Sequence, residues 1–414
     1  MNQFIFILSI YIVGRTYSVL LFDDITDNTK QIISPFLGVS FYSLSIALLY
    51  LINVKITIAS LFFVLFLIWN FILFFKSKII SYNWSIDYFV VNLKNLLSLS
   101  NNVIFSLYFL LALLFIIIGY ADATPDSTQF EGLGRFLSQG GTINNRVPYI
   151  DFLISGRFLV VASMHCINRL FGSYSLYTLN PTLAFWFLGS IGFFFFSFIS
   201  DLPNRIKIIL ISTLIVSISF FKHFYNFVFD IHSNTITMVF FSLSIIAQYL
   251  YCKLNLKSWL YLGSFFIGMA TLVRIEMLMF SMIFFIILSN IVNNNYYLCR
   301  NCWMIFLSTA LPWRIFTIHL ISKGSFYASS HEILLTVFVI LIFCVFSLLL
   351  TKINYSITWF LKGCYVFLFL LLFILLILYP NKIDNGFNIF LKYWLMGHDA
   401  WLLFSLSFLV YFFD

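Results

Sequence analysis

Long runs of apolar residues recur along the whole chain, separated by short polar stretches that carry most of the charges. A helix that crosses a bilayer needs about 20 mostly apolar residues. The apolar runs predict spans near 3–22, 34–53, 56–75, 102–120, 180–199, 207–221, 233–252, 258–273, 277–292, 302–321, 332–351, 357–379 and 387–412, thirteen in all. Runs such as Val103 to Ile118 are apolar at consecutive positions and do not alternate. A membrane β-barrel would show alternating segments of about ten residues. In hydrocarbon each backbone polar group must be bonded within its own segment, so the expected fold is all-α, polytopic and of about 11–13 spans.

Composition agrees with the pattern. Hydrophobic residues make up 62% of the chain and charged residues 9%, with a mean hydropathy of +1.01. A soluble domain has roughly 45–50% apolar and 25% charged residues, so lipid is the expected main solvent. The first run, Phe4 to Phe22, has no basic n-region and no small-residue cleavage site before Asp23 and Asp24, and reads as a retained helix.

The net charge of +8 does not point to nucleic acid, because Lys and Arg are scattered singly over loops rather than gathered into a basic stripe. They read as topology signals. Lys76, Lys78, Lys94, Arg205, Lys207, Lys253, Lys257, Arg300 and Lys352 all fall on one side when the chain is threaded through its spans, and that side is expected to be cytoplasmic. The segment 121–179, the loop 222–232, the turn at Arg274 and Glu276, the loop 322–331 and the turn 380–386 then lie outside. Of the six cysteines only Cys299 and Cys302 are a close pair, and no second Cys or His pair completes a zinc site.

The segment 121–179 is the longest excursion from lipid and has the densest set of ionisable groups. Thr124 suits a cap, Pro125 the first helical position, and Gly140 with Gly141 a stop, so a helix is expected between them. Phe130, Leu133 and Leu137 share one face of it, with Asp126, Glu131 and Arg135 elsewhere, the pattern of a helix lying on the membrane surface. A second apolar helix, from Ile150 to Phe171, carries Asp151, Arg157 and Arg169 and fits a shallow or re-entrant placement better than a plain span. Glu131 stands four residues before Arg135, and an ion pair between them accounts for both.

This order of elements resembles the C-type-fold integral-membrane glycosyltransferases that use polyprenyl-phosphate sugars, the group of the protein O-mannosyltransferases and the aminoarabinose transferase. Their first outer loop looks like Asp-x-x-x-Tyr/Phe-x-x-x-Ala/Gly-x-x-Leu-x-x-Gly, matched here by Asp126, Phe130, Gly134, Leu137 and Gly140. Further matches are Tyr149 with Asp151, the sequence Leu170-Phe171-Gly172, and a Gly-x-Ala-x-Leu-x-Arg element from Gly268 to Arg274. Together they cover Asp122 to Arg274. The resemblance implies a catalytic core over 102–292, N-terminal helices over 1–101 that read as an added module, and C-terminal helices over 293–414.

It also implies roles. Transfer from a lipid-phosphate sugar needs a carboxylate to take the acceptor's proton and cations to hold the departing phosphate. Asp126 is the candidate base, and an acid favouring the helix dipole explains it equally well. Asp122 and Asp230 are further candidate catalytic acids. A divalent metal shared by Asp122 and Asp126 is the one cofactor worth considering, and Asp230 is also explained as a helix cap. Arg274 and Arg157 are candidate phosphate ligands, with Asp151 and Glu131 as further substrate contacts; Arg274 is alternatively paired with Glu276. The expected partners are a polyprenyl-phosphate sugar donor, a lipid, glycan or protein acceptor, and membrane lipid, at the outer face of the cell membrane. A transporter or flippase of lipid-linked saccharides is the alternative, which would predict internal repeats and paired broken helices. A noncatalytic scaffold is a third reading, under which the loop acids are dispensable.

Overall fold

The computed structural model describes residues 2–76, 125–142, 159–172, 233–274 and 295–322, together with Met277, Ser281, Phe284, Phe285, Leu288, Ile291 and Val292. Among the described residues there is no strand, and the class is all-α. The helices are α1 (Asn2–Leu21), α2 (Asp27–Leu51), α3 (Ile58–Lys76), α4 (Pro125–Ser138), α5 (Leu159–Leu170), α6 (Ser233–Leu254), α7 (Lys257–Val273) and α8 (Tyr296–Ser322). The expected spans at 102–120, 180–199, 207–221, 332–351, 357–379 and 387–412 lie outside the described residues. Thr29–Leu51 is the one described helix long and apolar enough to cross a membrane by length and composition, and most of it is buried inside the protein.

Helix ends follow local chemistry. Asn53 and Asn255 adopt positive φ just past α2 and α6, a conformation Asn tolerates better than most residues. Gly140 does the same after α4, where the N–H groups of Gly140 and Gly141 bond back to the Leu137 and Phe136 carbonyls. Within α2, Pro35 brings no N–H, and the adjacent Ser34 hydroxyl donates to the Lys30 carbonyl.

Small residues let α1 and α2 pack almost backbone to backbone. A Cβ on Gly14 would overlap the Ser34 carbonyl, and one on Gly38 would overlap the Ile10 carbonyl. Ser18 and Ser34 hydroxyls lie 3.4 Å apart at the same crossing. Gly14 with Ser18, and Ser34 with Gly38, are each four apart, the small-residue spacing that membrane helices use to approach closely. The pairings run in opposite senses along the two helices, so they form an antiparallel hairpin. On its flank Tyr17 stacks on Phe41 at 3.7 Å between ring centres and donates from its hydroxyl to the Leu65 carbonyl of α3.

The later helices alternate in direction as well. Gly263 of α7 packs on Ser244 and Ala247 of α6, and also on Phe284 beyond the turn at Arg274, so each neighbour runs antiparallel to α7. Gln248 donates to the Phe284 carbonyl at 2.9 Å, and Phe285 stacks on Trp303 of α8 at 3.8 Å. Gly268 meets Thr309 and Phe306, while Tyr261 meets Asn301, so α7 and α8 run parallel. Phe41 of α2 sits 5.6 Å from Phe265, and Tyr50 sits 6.4 Å from Trp313. Thus α2 points the same way as α7 and α8.

One end of the bundle therefore holds the 52–57 turn and Arg274, and the other holds the turns at 22–26, 254–257 and 292–295. The α4 helix belongs to the first end, because Lys55 lays its methylenes across Gly140. Besides α1 and α3, α2 packs on α5 and α8, and a single buried apolar cluster joins residues of all eight described helices.

Candidate functional site

The site grows from how α4 sits on α5. Phe130, Leu133 and Leu137 are fully buried, a burial of about 1.5–3 kcal/mol for each side chain against exposure to water. The expectation of a helix resting on the membrane surface is thus modified, since α5 covers this apolar face. Gly134 sits at the crossing: a Cβ there would overlap His165 Cβ and come within 3.0 Å of the Ala162 carbonyl oxygen. Glu131 lies toward the start of α4 and pairs with Arg169 at the end of α5, so the two helices run antiparallel.

That pair revises the sequence reading of Glu131. Arg135 is a neighbour at 3.5 Å, but its side chain is 55% exposed. The Arg169 guanidinium donates to Glu131 Oε1 at closer range, with both side chains largely buried at 11% and 14%. An exposed pair is worth little and a sheltered one more, so Arg169 is the partner that matters. Separation in sequence hid it, since the two positions are 38 apart.

The α5 helix is enclosed on every side from Leu159 to Asn168. An enclosed helix is expected to be apolar or to pair its polar groups. Instead, among the described residues, His165 Nε2 and Ser163 Oγ are buried without a hydrogen-bond partner, as is Gln129 Oε1 on α4. Each such atom costs about 1–3 kcal/mol unless something fills the need. Ser40, Ser45 and Ser264 spend their hydroxyls on the carbonyls four residues back, whereas Ser43 Oγ of α2 is buried and unpartnered like Ser163 Oγ. Burial pushes the His165 imidazole down to about 3, so it is neutral near pH 7. Histidine at 165 and serine at 163 were legible as polar interruptions of an apolar run, but the enclosure that makes them costly was not.

Among the other predicted residues, Asp126 lies in the first turn of α4, and its side chain is outside the described set. Asp122, Asp151, Arg157 and Asp230 lie outside the described residues. Arg274 stands at the tip of the α7 hairpin, 6% exposed, with extended backbone between two helical runs. The Met277 N–H bonds back to its carbonyl at 3.2 Å, closing the turn. Among the described residues no group of three or more His, Cys, Asp or Glu side chains is placed to hold a metal. Cys299 and Cys302 are buried free thiols on α8. No protein-family model, curated protein or solved structure matches this chain.

Proposed function

We propose that the chain is a multi-pass membrane glycosyltransferase that moves a sugar from a polyprenyl phosphate to a lipid, glycan or protein acceptor at the outer face. The observation that carries the reading is α5, which takes histidine, serine and asparagine side chains into the packed interior beside the acid-bearing α4. Buried polar groups of this kind in an apolar bundle mark a working site by default.

Several features support the membrane part. Ile58, Phe62, Phe63, Phe66, Leu67 and Phe71 form an exposed apolar face on α3, suited to acyl chains. Neighbouring helices reverse direction, and the end holding the 254–257 and 292–295 turns carries Lys253, Lys257 and Arg300, as a cytoplasmic end does. The opposite end, with α4 and Arg274, is then the outer one.

In the reaction the acceptor hydroxyl oxygen attacks the anomeric carbon while the bond from that carbon to the phosphate oxygen breaks. The hydroxyl proton passes to Asp126, and polyprenyl phosphate departs with its negative charge held by Arg274 and Arg157. Direct displacement inverts the anomeric centre. Asp122, Asp230 and Asp151 are the further acids for orienting the acceptor. Glu131, already engaged by two guanidinium groups, serves to hold α4 on α5.

The test is transfer from radiolabelled polyprenyl-phosphate hexoses by membranes containing the protein, beside Asp126→Asn at matched expression. Loss of about 100-fold or more in the variant is the expected result for a general base. Equal transfer in both removes Asp126 from the mechanism. Absent transfer, with lipid-linked sugar still crossing vesicle bilayers, replaces the enzyme by a carrier.

A further inference from the structure

The two faces of α3 differ in kind. Leu61, Val64 and Leu65 are buried against the bundle, where the Leu65 carbonyl accepts from the Tyr17 hydroxyl and Trp69 meets the Tyr17 ring edge-on. The outer face carries Phe62, Phe63 and Phe66, 44%, 61% and 52% exposed, with Ala59 exposed beside them. Asn70 shares this outer face. At the 100° per residue of an α-helix it stands about 20° from Ala59 and Phe63, about 40° from Phe66, and about 180° from the buried Leu61.

Acyl chains suit the phenylalanines and do not suit an amide. Asn70 lies about 18 Å beyond Ile58 along a helix of 19 residues, whose whole length is about 28 Å. On the membrane placement proposed above, that depth is hydrocarbon. Asn70 Nδ2 donates to the Phe66 carbonyl at 2.7 Å. One amide hydrogen and the Oδ1 acceptor are left over, and among the described residues no further hydrogen bond engages them.

The spacing selects the partner. Ala59, Phe63, Phe66 and Asn70 follow one another by four, three and four residues, the seam of helices that wind around each other, with Phe63 and Asn70 at equivalent core positions. Two copies held in one membrane have the same orientation, so a symmetric pair of α3 helices runs parallel and each of these residues meets its own copy. An amide both donates and accepts, so Asn70 is its own complement. Close packing and interhelical hydrogen bonds are what bring helices together in lipid.

We propose that the outer face of α3 is the docking surface for a second copy of this chain, with phenylalanines packed along the seam and Asn70 bonded to Asn70 across the twofold axis. The inference rests on the membrane placement and is independent of the transfer chemistry.

The test is sedimentation equilibrium of the full chain in density-matched detergent micelles, joined to oxidative cross-linking in membranes with copper phenanthroline. Wild type sediments as a dimer. Asn70→Leu raises the dissociation constant about tenfold or more, while Asn70→Gln, which keeps the amide, stays within about threefold. In a Cys252→Ser background, Phe66→Cys links to its own copy, whereas Phe71→Cys, exposed but about 100° from Asn70, does not. Three results overturn the proposal: a monomeric wild type, which leaves the face to lipid or to a different partner; a dimer that Asn70→Leu leaves as tight as before; or equal linking at Phe66→Cys and Phe71→Cys. A dimer with this pattern but no sugar transfer removes the transferase alone, and sugar transfer by a monomer removes this inference alone.

Discussion

Glu131 shows how one side chain can satisfy a local rule while its main business lies elsewhere. Its partner four residues on is exposed at the helix surface, and its partner on α5 is sheltered. A double-mutant cycle should separate the two. Glu131→Gln with Arg169→Gln is expected to give a coupling of about 1–3 kcal/mol in thermal unfolding. Glu131→Gln with Arg135→Gln should give about 0.5 kcal/mol or less. Equal couplings would return Glu131 to the ordinary helix pair that its sequence suggests. The sequence showed both arginines and could not rank them, because i to i+4 spacing is visible in a string of letters and a contact between two helices is not.

At the scale of elements, the ends and lengths of helices were largely written in local chemistry. Gly140 ends α4, as its conformational preference requires. The apolar runs at 3–22, 56–75 and 233–252 became α1, α3 and α6 with small shifts. What the runs did not convey is which faces meet. The Gly14–Ser18 and Ser34–Gly38 spacings held that information for α1 and α2, and α5 gave no sign in its composition that it would be enclosed. The hairpin is open to test. Gly14→Leu should lower stability by about 3 kcal/mol, as overpacking at a tight crossing does, read as a fall in melting temperature in detergent. Leu48→Ala, on an exposed position of α2, should stay within about 0.5 kcal/mol of wild type. Similar losses for both variants would show that the crossing carries no special constraint.

At the scale of the whole molecule, the alternation of helix directions fixes which turns share an end. Lys55 lies at the end with α4 and Arg274, and the exposed Cys252 lies at the opposite end. With a membrane-impermeant maleimide on intact cells, Lys55→Cys should label directly. Cys252 should label only after the membrane is opened. Labelling of both from the same side would break the proposed crossing, and a swap of the two would invert its orientation while keeping it.

The central place of α2 bears on how the chain is made. It packs against α1, α3, α5 and α8, yet a ribosome delivers it long before α5 and α8 exist. During synthesis its waiting faces need a temporary neighbour, and acyl chains can fill that place. On the membrane placement proposed above, assembly is a late exchange of lipid for protein around a helix inserted early, so a pause or truncation before α8 is expected to leave the newborn chain inserted but unassembled.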